Sequence, residues 1–246
     1  MNSQLPDRPD LPDRNPPKVP ASKISGGNRS GSKPSWSIVG LWLGGNALGF
    51  AIATTILIRM AVSPSPTTEM MPGIEALYAS EIVVGSCVGA LQSWILRRKI
   101  HRLKIWQWIL ASILGGYFGL FLIALALFAL ALVPLDGSKL VTFLLVISTS
   151  GAILGVGIGF GQAIVLAQHV QGVGKWWLAS VLGRFLGWLS AFLVGQLFIP
   201  FDSNTGDLII TPLICGGIGG LVYGGVTALA LPSLIPRQRS NVDRAV

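Results

Sequence analysis

Charge is what this chain has least of. Only 11% of its 246 residues are Asp, Glu, Lys or Arg, while 51% are apolar and the mean hydropathy is +0.65. A soluble domain carries about 25% charge, so a water-facing globular surface is excluded and a lipid-facing one takes its place. Cysteine is nearly absent. Cys87 and Cys215 each lie inside an apolar run, which leaves no disulfide framework and no thiolate metal site and makes both small buried hydrophobes. The two histidines, His101 and His169, fall in polar turns, and the apolar stretches hold no acid except Glu81 at an edge. Metal-ligand spacing, a phosphate loop and a dinucleotide fingerprint are all missing. Membrane-embedded hydrolases, proteases and oxidases need clustered His, Asp, Glu or Cys, or a nucleophile with its base. No catalytic residue, metal or cofactor is therefore expected.

Long apolar runs are what the chain does have. Crossing about 30 Å of hydrocarbon takes about 20 apolar residues in a helix, and six stretches qualify: 36–62, 78–96, 105–133, 140–166, 176–199 and 208–231. Runs of this length without two-residue alternation exclude a barrel, and only helices or closed barrels satisfy the backbone in lipid. The expected fold class is all-α, a polytopic membrane protein with six transmembrane helices.

Orientation follows from Lys and Arg, which are retained on the cytoplasmic side of helix ends. The N-terminal tail, the connection after helix two (Arg97, Arg98, Lys99, Arg102, Lys104), Lys175 and the C-terminal tail together hold fifteen basic residues, against Arg59 and Lys139 in the alternate connections. Both termini are expected in the cytoplasm. The same distribution explains the net charge of +8 without nucleic acid, since no stacking aromatics accompany it. Anionic lipid headgroups are the expected partner of the run from Arg97 to Lys104.

Residues 1–35 are rich in Pro, Asp, Ser and Gly, with a tandem of Leu-Pro-Asp-Arg at Leu5 and Leu11. This composition buries too little apolar area to order itself and is read as a disordered cytoplasmic tail. The apolar stretch that follows is too long for the h-region of a signal peptide. The transmembrane domain is placed at 36–232, with hairpins 36–96, 105–166 and 176–231, and a basic cytoplasmic tail at 233–246.

An internal repeat organises these spans. The frame W-I-L-A-S-I-L-G-G-Y-F-G at Trp108 recurs as W-W-L-A-S-V-L-G-R-F-L-G at Trp176 and as W-L-G-G-N-A-L-G-F-A-I-A at Trp42. Each Trp is followed by a small polar residue (Asn46, Ser112, Ser180), then Gly49, Gly115 or Gly183, then Ala53, Gly119 or Gly187. The even helices align as Gly85-xxx-Gly89-xx-Gln92, Gly155-xxx-Gly159-xx-Gln162 and Gly216-xxx-Gly220-xx-Tyr223. The pattern predicts three copies of one helical hairpin, with two spans each and hence parallel, about an axis along the membrane normal.

With its basic turn between the two motifs, this pattern resembles a group of small multi-pass proteins of bacteria, cyanobacteria among them, known as uncharacterised. The resemblance covers Trp36 to about Pro232 and is clearest over 85–119 and 155–187. It implies a fold and a bacterial inner or internal membrane, such as the thylakoid, and no activity.

The glycines four residues apart form strips against which a neighbouring helix packs. The repeated Trp residues are expected as interfacial anchors at the cytoplasmic ends of their helices. Gln92, Gln162, Asn46, Ser112 and Ser180, with Tyr223 in the third copy, fall in one cytoplasmic-side layer. They serve there either as cross-helix hydrogen bonds, Gln to the Ser or Asn of a repeat, or as a polar ligand site. Arg184 is the formal charge furthest inside a span, with no acid expected at its depth. It is read either as a site or as a cation snorkelling to the headgroups. Glu81, Glu75 and Arg59 are placed together near the outer face. Pro134-Leu-Asp136-Gly-Ser-Lys139 fits a mitochondrial-carrier pattern, but the Pro66 copy lacks the acid, and a helix stop with an Asp turn explains it.

Two functions fit the residues. One is a structural, accessory or assembly protein packed against other membrane proteins; the alternative is a small-solute transporter or channel that uses the polar layer and Arg184.

Overall fold

The computed structural model describes residues 36–62, 72–131, 139–198 and 207–236, all within one compact unit, Pro34–Val246. The expectations for residues 1–35, for the outer connections with Pro66, Pro134 and Pro200, and for residues 237–246 lie outside the described residues.

Six helices follow one another: α1 (Trp36–Val62), α2 (Pro72–Leu96), α3 (Ile105–Ala131), α4 (Lys139–Ala167), α5 (Val173–Phe198) and α6 (Asp207–Ala228). Each is apolar around most of its circumference, the pattern of a helix with lipid on its outer side. The boundaries fall within three residues of the sequence reading except at α2, which begins at Pro72 rather than at 78. Proline is favoured at a first helical position because its missing N–H would have no intrahelical partner there. Pro212 sits in the second turn of α6, where it removes one backbone bond near the helix start.

Every helix packs against its chain neighbours, and α6 packs against α1, so the six form a closed ring. Glycine sets the spacing. A Cβ on Gly85 would clash with Ile113, one on Gly155 would stand 2.7 Å from Val181 Cα, and one on Gly220 would stand 3.0 Å from Ala47 Cα. One turn further on, Gly89 faces Ser112, Gly159 faces Ser180 and Gly224 faces Asn46. The same contact thus recurs at α2–α3, α4–α5 and α6–α1. The glycines of the odd helices make the other set: Gly49 against Val88, Gly115 against Ile158 and Gly183 against Tyr223. Gly119 meets Leu154, and a Cβ on Gly187 would stand 2.8 Å from the Gly219 carbonyl oxygen.

The two connections 97–104 and 168–172 lie at one end of the ring, called here the basic end. The chain after α6 folds back over it as one 3-10 turn (Leu231–Ser233) and a short strand, β2 (Ile235–Pro236), paired antiparallel with β1 (Val170–Gln171). Gly172, at φ +83°, makes the left-handed turn from β1 into α5 that other residues resist. Leu96, Ile100, Leu103, Leu166, Val170, Leu231 and Leu234 are buried there in one cluster. Residues 233–236, expected to open a basic tail, are instead part of this cap. The reason is apolar: Leu231 and Leu234 supply the faces that close it, each worth about 2 kcal/mol of burial.

Lys99 Nζ donates to the Leu231 carbonyl and ties the cap to the turn after α2. Burial holds the Lys99 ammonium below the ordinary lysine pKa, so the unfolded chain binds more protons than the folded one. Stability therefore rises with pH from the lowered value up to the ordinary lysine value. Melting curves in detergent should show the wild type gaining on Lys99→Met across that alkaline window, and an invariant difference would contradict this.

Close glycine packing gives a second expectation. A Cβ on Gly115 would stand 2.7 Å from Ile158 Cα, against backbone that cannot move aside, whereas one on Gly44 meets nothing within 4 Å. Gly115→Ala should lower stability by about 1–3 kcal/mol, and Gly44→Ala should leave it unchanged or raise it by up to about 1 kcal/mol, both read from thermal unfolding.

Candidate functional site

Trp42, Trp108 and Trp176 are fully buried, at 0% exposure. They do not anchor the helices at the interface, as the sequence suggested, but meet inside the ring. Trp176 lies edge-on to Trp42 at 5.5 Å between ring centroids and to Trp108 at 5.7 Å. Indoles go inside when their N–H finds an acceptor at depth, and each of these does. Trp42 Nε1 donates to Thr227 Oγ1 (2.9 Å), Trp108 Nε1 to Gln92 Oε1 (3.3 Å) and Trp176 Nε1 to Gln162 Oε1 (3.2 Å). The exposed Trp36, Trp94 and Trp106 are left for the periphery.

The amides that accept these bonds also bind one another. Gln92 Nε2 donates to Asn46 Oδ1 (2.7 Å), and Gln162 Nε2 donates to Ser112 Oγ (2.9 Å) and to Gln92 Oε1 (3.2 Å). Asn46 Nδ2 and Ser112 Oγ donate to the carbonyls of Trp42 and Trp108 one turn back. The expected Gln-to-Asn and Gln-to-Ser bonds are both present. Asn46, Gln92, Ser112 and Gln162 therefore stand in one layer with their side-chain polar groups joined to each other, to indoles or to backbone.

The third copy differs from the sequence alignment. Contacts, rather than letters, pair Thr227 with Gln92 and Gln162, because Gly220 and Gly224 take the places of Gly85 and Gly89. Tyr223 falls one turn away, in the slot of Val88 and Ile158. Both frames have glycines at spacing four, and letters cannot choose between them. Thr227 accepts from Trp42 and donates to the Tyr223 carbonyl (2.9 Å), but its side chain is two bonds shorter than glutamine. Ser180, the counterpart of Asn46 and Ser112, is left with a fully buried Oγ that has no hydrogen-bond partner.

A second level lies about two helical turns further in, since Arg184 is eight residues, or about 12 Å, beyond Trp176. Arg184 is 5% exposed, and its guanidinium carbon sits 4.9 Å from the Phe50 ring centre and 5.3 Å from that of Tyr223. It does not snorkel; the two rings hold it inside. Phe50 and Tyr223 meet edge to face at 5.4 Å. On the opposite side of the ring Glu81 is 4% exposed and lies against Gly116, where any Cβ would overlap its carboxylate. Glu81 Oε2 and Arg184 Nε each lack a hydrogen-bond partner. Two sequence expectations are thus corrected. An acid does stand at the level of Arg184, since Glu81 lies against Gly116, the α3 counterpart of Arg184, and Glu81 is buried rather than standing with Arg59 near the outer face, where Arg59 is exposed. Counting α2 from 78 put Glu81 at its edge, whereas from Pro72 it lies in the third turn.

Among the described residues no three His, Cys, Asp or Glu side chains gather as a metal would require. Six helices long and apolar enough to cross a membrane, with large apolar side chains outward and the polar groups turned in, define an integral, multi-pass α-helical membrane protein. The chain matches no known protein-family model, no curated protein and no solved structure.

The two serines provide a direct comparison. Ser112→Ala removes the acceptor of Gln162 Nε2 and should cost about 1 kcal/mol, whereas Ser180→Ala deletes an unpaired buried hydroxyl and should be neutral or stabilising. Equal losses in detergent unfolding would contradict this assignment.

Proposed function

We propose that the protein is a non-catalytic structural or accessory component of a bacterial inner or internal membrane, packed against other membrane proteins through its outer apolar faces. It is built of three parallel hairpins with both termini in the cytoplasm, so that the basic end faces inward and its Arg97, Arg98, Arg102 and Lys104 meet anionic headgroups. The observation that carries this reading is the layer of Asn46, Gln92, Ser112 and Gln162. Its polar groups hold helices together, and the apolar cap and three indoles cover the same end, so no polar path opens there. The outward stripe of Leu110, Leu114, Phe118, Phe121 and Leu125 on α3 supplies a continuous docking face. So does the cavity of about 190 Å³ between α3 and α4, lined by Ile123, Leu127, Leu145 and Ile153.

Gentle-detergent purification of the tagged chain from its native membrane, followed by mass spectrometry, tests the reading. A stoichiometric protein partner is expected, retained by Arg184→Leu and lost when Leu114, Phe118 and Phe121 are together replaced by alanine. A chain that purifies alone overturns it. The second reading, a small-solute transporter or channel, draws its support from Arg184 and Glu81, two buried ionisable side chains that each keep a polar atom without a hydrogen-bond partner.

A further inference from the structure

The second level of the ring contains an arrangement that helix packing does not require. Equivalent contacts place Phe50, Gly116 and Arg184 in one slot of the odd helices, and Glu81, Gly151 and Gly216 in the facing slot of the even ones. In two of the three copies the even helix presents hydrogen. In the third it presents a carboxylate, opposite the one odd helix whose residue, Gly116, leaves room for it. The cation lies on α5, three places round the ring from α2. Glu81 and Arg184 therefore enter the same level from opposite sides.

Two opposite charges buried together ordinarily close on each other, because each uncompensated charge in a low-dielectric interior is costly and direct contact offsets that cost. These two do not. Each is more than nine-tenths buried, and each keeps a polar atom without a partner. The guanidinium carbon sits over the Phe50 and Tyr223 rings, and its Nε has no partner; a guanidinium edge is suited to a bidentate oxyanion. A lone anion would meet repulsion from Glu81, and a lone cation would meet repulsion from Arg184. A molecule that carries both charges satisfies both ends.

We propose that Glu81 and Arg184 form a binding site for a small zwitterion, an ammonium group and an oxyanion on one short skeleton. The oxyanion accepts from the Arg184 guanidinium, the ammonium donates to the Glu81 carboxylate, and Phe50 and Tyr223 wall the site. The three indoles and the apolar cap cover the basic end. Free amino acids and the phosphoethanolamine headgroup of a lipid share this chemistry. The site does not depend on the accessory reading, and a protein partner neither supports nor removes it.

The test is thermal unfolding of the purified, delipidated full chain. One arm adds glycine, L-alanine or 4-aminobutyrate, with acetate and butylamine as single-charge controls. The other arm adds phosphatidylethanolamine, with phosphatidylglycerol as its control. At saturation one zwitterion arm should raise the melting temperature by about 5 °C or more, the responding arm identifying the source, while the single-charge controls do nothing comparable. The double variant Glu81→Gln, Arg184→Gln removes both charges and should melt no lower than wild type while losing the response. The control series on the wild type decides the matter even if that variant fails to fold. No response in either arm, as for a pair bridged by water alone, overturns the proposal. So does an equal response to acetate, butylamine or phosphatidylglycerol, or a response that survives in the double variant.

Discussion

A hydrogen-bond donor moved into hydrocarbon must find its acceptor within the protein, and the basic end of this ring is organised by that constraint. Three indole N–H groups and two glutamine amides are placed where water cannot reach them. Their partners come from other helices: Gln92 of α2 joins Asn46 of α1 and Trp108 of α3, and Gln162 of α4 joins Ser112 of α3 and Trp176 of α5. Each amide bridges the helix before it and the helix after it. The bonds fix the rotational register of the helices, which apolar surfaces in lipid leave loosely specified because lipid is as apolar as leucine.

Glycine makes this geometry reachable. Side chains as short as serine and asparagine meet glutamine across a helix boundary only if the backbones approach closely, and Gly49 against Val88 and Gly115 against Ile158 bring α1 to α2 and α3 to α4, the two boundaries that the Gln92–Asn46 and Gln162–Ser112 bonds cross. Where Thr227 stands in place of glutamine, Gly183 still meets Tyr223 and the indole bond from Trp42 persists, but the bond to the small polar residue of the preceding helix, Ser180, does not form. The departures from threefold likeness, Thr227, Glu81 and Arg184, are therefore chemical and not architectural.

The class of protein and its six spans could be read from the sequence because the lipid requirement writes itself into composition and run length. The Gln-to-Ser and Gln-to-Asn bonds could be read because an amide at depth has few ways to be satisfied. The Trp residues could not, since an indole near a helix end suits the interface equally well until the acceptor on the neighbouring helix is seen. The frame of α6 was hidden by its surplus of glycines, Gly216, Gly220 and Gly224, any adjacent pair of which fits the motif. The Glu81–Arg184 level was hidden by an error of six residues at the start of α2. Counting residues inward from Gln92 and from Trp176 would have brought the two to similar depth.

Closure of the ring between α6 and α1 bears on how the protein is made. Synthesis proceeds from the N-terminus, and domains generally assemble in that order. Trp42 nevertheless takes its acceptor from Thr227, 185 residues later. Until the last helix leaves the ribosome, α1 sits in the bilayer with an unsatisfied indole and with the flank of Asn46, Phe50 and Thr54, which the α6 glycines later cover, exposed. A nascent chain of this design depends on lipid, the insertion machinery or a chaperone to cover that seam, and a truncated one presents it to quality control.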